Sequence, residues 1–199
     1  MQNSTAEFWA GTAGNQYTGR NKADALLPAR IAMWAKILER CHGVASIVEF
    51  GANTGVNLRA LNLLRPSVKL WGVEVNEEAA LQIPVGNVII GNMLDAKVPE
   101  VCDLSFTRGV LIHFHPVDLF RAYDVLYHAT RRYLMIAEYY NPTRVMVPYR
   151  VENDKLWKAD FAGEILDRFP GLELIDYAFV YNRGEFGQDN VTWFLMEKR

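Results

Sequence analysis

The sequence predicts an open α/β fold, a largely parallel sheet with helices on both faces and an antiparallel closing pair. Three observations predict it. Apolar runs of strand type (44–50, 69–75, 87–90, 102–107 and 133–138) alternate with segments of helical periodicity. The first run ends in a glycine turn that opens a helix. The last two runs, 172–181 and 191–197, are joined by a polar loop short enough for antiparallel pairing.

Composition sets the bounds. The 199 residues suit one compact domain with a sizeable core. Within it, residues 1–43 read as an N-terminal lid segment plus a helix, and 44–199 as the ligand-binding domain. Half the residues are hydrophobic and 22% are charged, as in ordinary soluble proteins. A net charge of −2 gives no basic field for nucleic acid or an anionic membrane. The opening MQNSTAEFWAG does not read as a signal peptide, and no apolar run approaches membrane-spanning length. Cys41 and Cys102 are too few for a disulfide scaffold or a zinc site, so both are expected as buried thiols in a cytoplasmic protein. The sequence is silent on oligomeric state.

The elements follow in order. Residues 1–21 hold Phe8, Trp9, Gly11, Gly14, Tyr17 and Gly19. They look too glycine-rich for a regular helix and too aromatic for a disordered tail, which suggests a lid or a packed arm. Leu27, Ile31, Trp34, Leu38 and Cys41 predict a helix over 22–42, ended by Gly43. The run VASIVEF predicts a strand buried on both faces, ending in Glu49. Gly51-Ala52-Asn53-Thr54-Gly55 is then a turn, and Val56 to Leu64 a helix stopped by Pro66. Glycine serves there because the chain must take positive φ or meet a ligand with no Cβ between. The amides of the new helix are expected to point at that ligand.

Spacing narrows the ligand. The Gly-Lys-Ser/Thr of a phosphate loop is absent, and so is the third glycine of a dinucleotide loop. Asn53 takes the middle slot, which Asn tolerates because it visits the left-handed region. The strand 69–75 carries Glu74 at its end, about 20 positions beyond Gly51, where a carboxylate can accept both hydroxyls of a ribose. Asn76-Glu77-Glu78 reads as a capped helix start. The corner Gly91-Asn92-Met93-Leu94-Asp95 follows the third strand, and Arg108-Gly109 the fourth, with His113 and His115 just beyond. Pro116 suits the first turn of a helix over 117–131 whose inward face is marked by Phe120, Tyr123 and Tyr127. Trp157, Phe161, Ile165 and Phe169 predict a last helix over 153–169.

An acid just ahead of Gly51, with glycine again four later, resembles motif I of the class I S-adenosylmethionine methyltransferases. That resemblance implies a Rossmann-like, seven-stranded sheet with its last strand antiparallel. It implies S-adenosyl-L-methionine as cofactor, held by Glu49, Gly51, Ala52, Asn53 and Gly55, with Glu74, Val75 and Asn76 at the ribose. Asn92, Met93 and Leu94 are expected at the adenine, with Asp95 in reserve. Arg108 and Gly109 are expected at the cofactor too, in the corner that faces the transferred methyl, with Tyr17, Arg20 and Asn21 closing over the methionine carboxylate and Trp9 stacked nearby. More finely, FWAG…G…Y..RN, VEFGANTGVNL, GVEVN, GVLIHF, EYYNP…VPYR, DFAGE and TWFLMEK resemble the pseudaminic acid biosynthesis-associated methylases along nearly the whole chain. The implied acceptor is an acidic or nucleotide-activated sugar.

Methyl transfer from a sulfonium is an in-line displacement that needs alignment but no metal. A hydroxyl acceptor also needs a base, for which His113 and His115 are the candidates. Two apart, they would share a face of an extended chain. His113 could equally orient the loop, and His115 could cap the helix. Arg144, Arg150 and Lys158, with Tyr139, Tyr140 and Tyr149, are expected to receive an acidic sugar. Three alternatives stay open: a nicotinamide-dependent oxidoreductase, a non-catalytic binding module, and a methyltransferase with an amine or carboxylate acceptor.

Overall fold

The computed structural model describes residues 5–20, 23–148 and 156–199. Asn21, Tyr149, Arg150, the start of the expected 153–169 helix and the side chain of Arg20 lie outside the described part.

The N-terminal segment is helical, against expectation: α1 spans Thr5–Ala10 and α2 spans Thr12–Arg20. Packing explains how glycine is accommodated there. A Cβ at Gly14 would overlap the Trp9 carbonyl oxygen and lie 2.7 Å from Asn76 Nδ2. The glycine allows α2 to fold tightly against α1, which offsets its poor helix propensity of about 1 kcal/mol. Helix α3 (Ala23–Arg40) matches the predicted periodicity and buries Met33, Trp34, Ile37 and Leu38. Gly43, at φ 71°, follows it.

The sheet assembles from β1 (Ser46–Phe50), β2 (Lys69–Glu74), β3 (Asn87–Ile90), β4 (Cys102–Arg108), β5 (Thr130–Glu138), β8 (Leu172–Val180) and β9 (Val191–Lys198). Their order is β3-β2-β1-β4-β5-β9-β8, with β9 antiparallel to both neighbours and β1 to β5 mutually parallel. All five residues of β1 are buried, as the apolar run implied. On one face α3 and α4 (Val56–Leu64) pack through Trp34, Ile37, Leu58 and Leu61. On the other, α6 (Pro116–Ala129) and α7 (Phe161–Arg168) pack through Leu119, Tyr123, Leu126, Phe161 and Ile165. The short helix α5 (Glu77–Ala80) starts at Asn76, whose side chain accepts from the Ala79 amide at 2.8 Å.

Two sequence expectations fail locally. In α6 the inward face is Leu119, Ala122, Tyr123 and Leu126, while Phe120 points out under the Arg168 guanidinium. The leucines bury without losing a hydrogen bond, so they set the phase of the helix. The last helix begins only at Phe161. Asp160 caps it by accepting from the Gly163 amide at 2.8 Å, and a capping acid there outweighs the four-residue spacing from Trp157. Trp157 instead lies on β7 (Trp157–Lys158), paired with β6 (Val145–Met146).

Candidate cofactor and acceptor cavity

The ends of β1, β2, β3 and β4 all open on one cavity, roofed by α1 and α2. An open α/β sheet places its ligand crevice at these carboxyl ends. Of the sequence candidates, Tyr17, Gly51, Asn53, Glu74, Val75, Asn76, Asn92, Met93, Leu94, Arg108, Gly109 and His113 line it, with Trp9.

The turn after β1 has the backbone its sequence requires. Gly51, Asn53 and Gly55 all have positive φ (79°, 47° and 73°), so the middle asparagine occupies the left-handed region. A Cβ at Gly51 would strike Val110, and one at Gly55 would lie 2.8 Å from Ile83 Cγ2. The turn's amides are not free, however. Gly51 and Ala52 donate to the Val73 carbonyl (2.8 and 3.0 Å), Asn53 to Glu74 Oε2 (2.6 Å), and Thr54 to Asn53 Oδ1 (2.7 Å). These donors serve the turn itself and are distinct from the α4 amides expected to face the ligand. Ala52 and Gly55 support the turn from behind and do not line the cavity.

Glu74 is fixed at the cavity wall. Oε2 accepts from Asn53 and Oε1 from the Asn76 amide at 2.8 Å, and each oxygen keeps a lone pair for a further donor. Burial raises its pKa, against those backbone hydrogen bonds. Asn76 is the hinge between this acid and the roof. Its amide nitrogen donates to Asn15 Oδ1 (2.6 Å) and to the carbonyl of Trp9 (3.1 Å).

At the β3 end, Asn92 Oδ1 accepts from the Leu94 amide at 3.0 Å, and Met93 is buried. Asp95 does not line the cavity but pairs with Arg121 at 3.4 Å. Asp118, one turn into α6, lines it instead. Below β1, Trp34 Nε1 donates to Asn57 Oδ1 (3.3 Å), and Asn57 Nδ2 donates to Glu49 Oε1 (2.6 Å). Burial pushes Glu49 up to about 8, opposed by the Asn57 hydrogen bond and the charge of Arg30.

The two histidines separate. His113 closes a single 3-10 turn (Leu111–His113), lines the cavity and stacks at a tilt on Trp9, 4.4 Å between ring centres. His115 does not line it; its Nδ1 accepts from the Val117 amide at 3.3 Å and caps α6. The extended geometry expected for the pair is absent because His113 belongs to the 3-10 turn, while Phe114 and His115 beyond it are extended. Glu138, at the end of β5, underpins this turn. Its carboxylate accepts from the amides of Val110 (3.1 Å) and Ile112 (3.4 Å), and burial pushes it up to about 7.

None of the described residues of the expected sugar-binding loop lines the cavity. Arg144 is ion-paired with Glu164, which also accepts from the Tyr123 hydroxyl at 2.7 Å. Lys158 sits 5.7 Å from the centre of the Tyr139 ring, and neither Tyr139 nor Tyr140 lines the cavity. Sequence reasoning missed Glu138, although it ends a strand just as Glu49 and Glu74 do. It also missed Arg30, Thr18, Asp118 and Gln188, for which no local pattern gave a signal.

No protein-family model and no curated protein sequence matches the chain. Solved structures do. A Burkholderia thailandensis 1,6-didemethyltoxoflavin-N1-methyltransferase with bound S-adenosylhomocysteine superposes with a TM-score of 0.70 at 14% identity, over 93% of this chain and 84% of that one. The magnesium protoporphyrin IX methyltransferase of Synechocystis, also with S-adenosylhomocysteine, gives 0.68 at 10% identity over 98% of each. A plantazolicin methyltransferase in complex with S-adenosylhomocysteine gives 0.65 at 12% identity, over 99% and 95%. The chain has the Rossmann-like fold of the class I methyltransferases, with its seven-stranded mixed sheet.

Proposed function

We propose that the protein is an S-adenosylmethionine-dependent methyltransferase acting on a small acceptor, and that the acceptor is an acidic or nucleotide-activated sugar. The observation that carries the first part is Glu74: a strand-end carboxylate anchored by two backbone amides, facing a cavity shared with Asn53, Asn92 and Met93. Glu74 fits the two ribose hydroxyls, and Asn92 and Met93 fit an adenine edge and face. When bound, S-adenosylmethionine supplies a methyl group activated on a sulfonium.

The protein's own part is alignment, dehydration and proton removal. The α1–α2 roof covers part of the cavity with Thr5, Ala6, Trp9, Gly14, Tyr17 and Thr18 and leaves it a cleft, which favours a small acceptor over a protein or nucleic acid chain. Trp9 and Tyr17 offer aromatic faces that suit a sugar ring. The bound donor would offer its methyl carbon for in-line attack by an acceptor oxygen, with the carbon–sulfur electron pair leaving on sulfur. The hydroxyl proton passes to His113, held for that role by the Glu138-supported turn. The acidic sugar rests on the sequence resemblance and on Arg108, a cation in the cavity wall.

The test is incubation with methyl-labelled S-adenosylmethionine and a panel of free and nucleotide-activated sugars, with aromatic amines and carboxylic acids as competing classes. Label on an acidic sugar supports the reading in full. Label on an amine alone overturns the acceptor but keeps the enzyme.

A further inference from the structure

Buried polar groups in native structures nearly always have partners, so a cluster of unpartnered ones points to a missing ligand. Among the described residues, eight buried side-chain polar atoms lack a hydrogen-bond partner, and five of them belong to Thr18, Arg30, Glu49 and Arg108. They are Thr18 Oγ1, Arg30 Nε and Nη1, Glu49 Oε2 and Arg108 Nε. Thr18 and Arg108 line the cavity, and Arg30 is only 5% exposed. Burial, then the charge of Arg108, pushes Arg30 down to about 9, while Asp189, Tyr17 and Glu49 act the other way. Arg30 therefore feels the charges of Arg108, Asp189, Tyr17 and Glu49, and it is buried without itself lining the cavity.

The surroundings leave this pair short of negative charge. Arg108 donates to Gln188 Oε1 at 2.9 Å, and Gln188 Nε2 reaches Met33 Sδ at 3.7 Å, one turn along α3 from Arg30. Asp189, on the loop between β8 and β9, approaches Arg108 only to 3.6 Å and is half exposed. Glu49 is held towards its protonated form by burial.

We propose that Arg30, Arg108 and Thr18 form a subsite for one ligand carboxylate, and that Asp189 is an exchangeable counter-ion which that carboxylate displaces. Arg108 and Thr18 contact the carboxylate; Arg30 supplies the second positive charge. Displacement removes the Asp189 tie and leaves the 181–190 loop held to Arg108 by the Gln188 hydrogen bond alone, so occupancy of the cavity is read out as a loosening of the β8–β9 hairpin. The carboxylate can come from the amino-acid end of the methyl donor or from an acidic acceptor. The subsite deepens the reading above, yet it can be tested apart from it.

Calorimetry on the wild type, Arg30→Met and Asp189→Asn distinguishes the sources. The probes are S-adenosylhomocysteine, which carries the carboxylate; 5′-methylthioadenosine, which lacks it; and N-acetylneuraminic acid, added with and without the nucleoside. For a donor carboxylate, Arg30→Met loses about 10-fold or more for S-adenosylhomocysteine and keeps its affinity for methylthioadenosine. For an acceptor carboxylate, the same loss falls on the acidic sugar instead. In either case Asp189→Asn tightens the carboxylate ligand, and hydrogen exchange in residues 181–190 of the wild type rises on binding. Equal weakening of both nucleosides by Arg30→Met, or no change for any probe, overturns the subsite. Loss of the subsite with intact methylthioadenosine binding leaves the donor reading standing; failure of the wild type to bind any probe overturns both.

Discussion

Asn76 donates its side-chain amide to the Trp9 carbonyl at 3.1 Å, while its own backbone amide bonds Glu74 Oε1 at 2.8 Å. One residue thus fastens the helical roof to the strand end that carries the cavity-facing acid Glu74. Its side-chain oxygen also caps α5 through Ala79. Roof and site are mechanically one piece as long as this residue can both donate and accept.

The roles separate by substitution. Asn76→Asp keeps the capping oxygen but turns the donor into a buried acceptor that faces the Trp9 carbonyl, so α1 and α2 should lose hydrogen-exchange protection, with a stability cost for the buried acid beside Glu74. Asn76→Ala should lose both, with an added cost of about 1 kcal/mol for the missing cap. Unchanged exchange over residues 5–19 in Asn76→Asp would show that the roof is held by something else.

The histidines make a second contrast. His113→Gln should lower the methyl-transfer rate by about 10²–10⁴ for a hydroxyl acceptor, because the base is removed. His115→Ala should leave the rate near wild type and cost about 0.5–2 kcal/mol of stability as a lost helix cap. Single-turnover rates and urea midpoints decide. A rate loss confined to His115→Ala reverses the assignment.

Stability should fall as pH rises. Glu138 is pushed up to about 7 and Glu49 to about 8, both from an ordinary value of 4.5. Between about pH 5 and 8 the folded chain therefore binds more protons than the unfolded chain, and raising the pH favours unfolding. The stabilisation is complete below the ordinary carboxylate range and is lost as pH climbs through 7 to 8. The thermal midpoint should drop from pH 6 to pH 8.5, and Glu138→Gln should flatten that slope. A midpoint rising over this interval contradicts the burial argument.

The sequence carried the positions of the parallel strands and the cavity floor, because both depend on local signals. Apolar runs locate β1 to β5, and a positive-φ turn needs glycine or asparagine at Gly51, Asn53 and Gly55. Glu74 followed from its distance along the chain. What was not legible depends on contacts between distant segments. Gly14 sits in a helix because of where Trp9 and Asn76 lie, which no propensity reveals. Arg144 reads as a free cation until α7 brings Glu164 against it. Arg30 reads as one more charge on a helix until the fold buries it within the field of Arg108.

Arg144 illustrates the practical consequence. Arg144→Met should leave the Michaelis constant for an acidic acceptor unchanged, because the side chain does not line the cavity. It should lower stability by about 1–3 kcal/mol, since Glu164 is left half-buried with only Tyr123 to bond it. Initial-rate kinetics and denaturant melts on the same variant check both parts. A raised Michaelis constant with unchanged stability would return Arg144 to the acceptor site.

The central claim is that the cavity between the strand ends and the α1–α2 roof binds adenosine through Glu74. Calorimetric titration with S-adenosylhomocysteine tests it most directly, run on the wild type and on Glu74→Ala. The account predicts saturable one-to-one binding that weakens by about 1–3 kcal/mol in the variant, with no binding of NAD. A wild type that takes up no S-adenosylhomocysteine, or a variant that binds it as tightly, contradicts it.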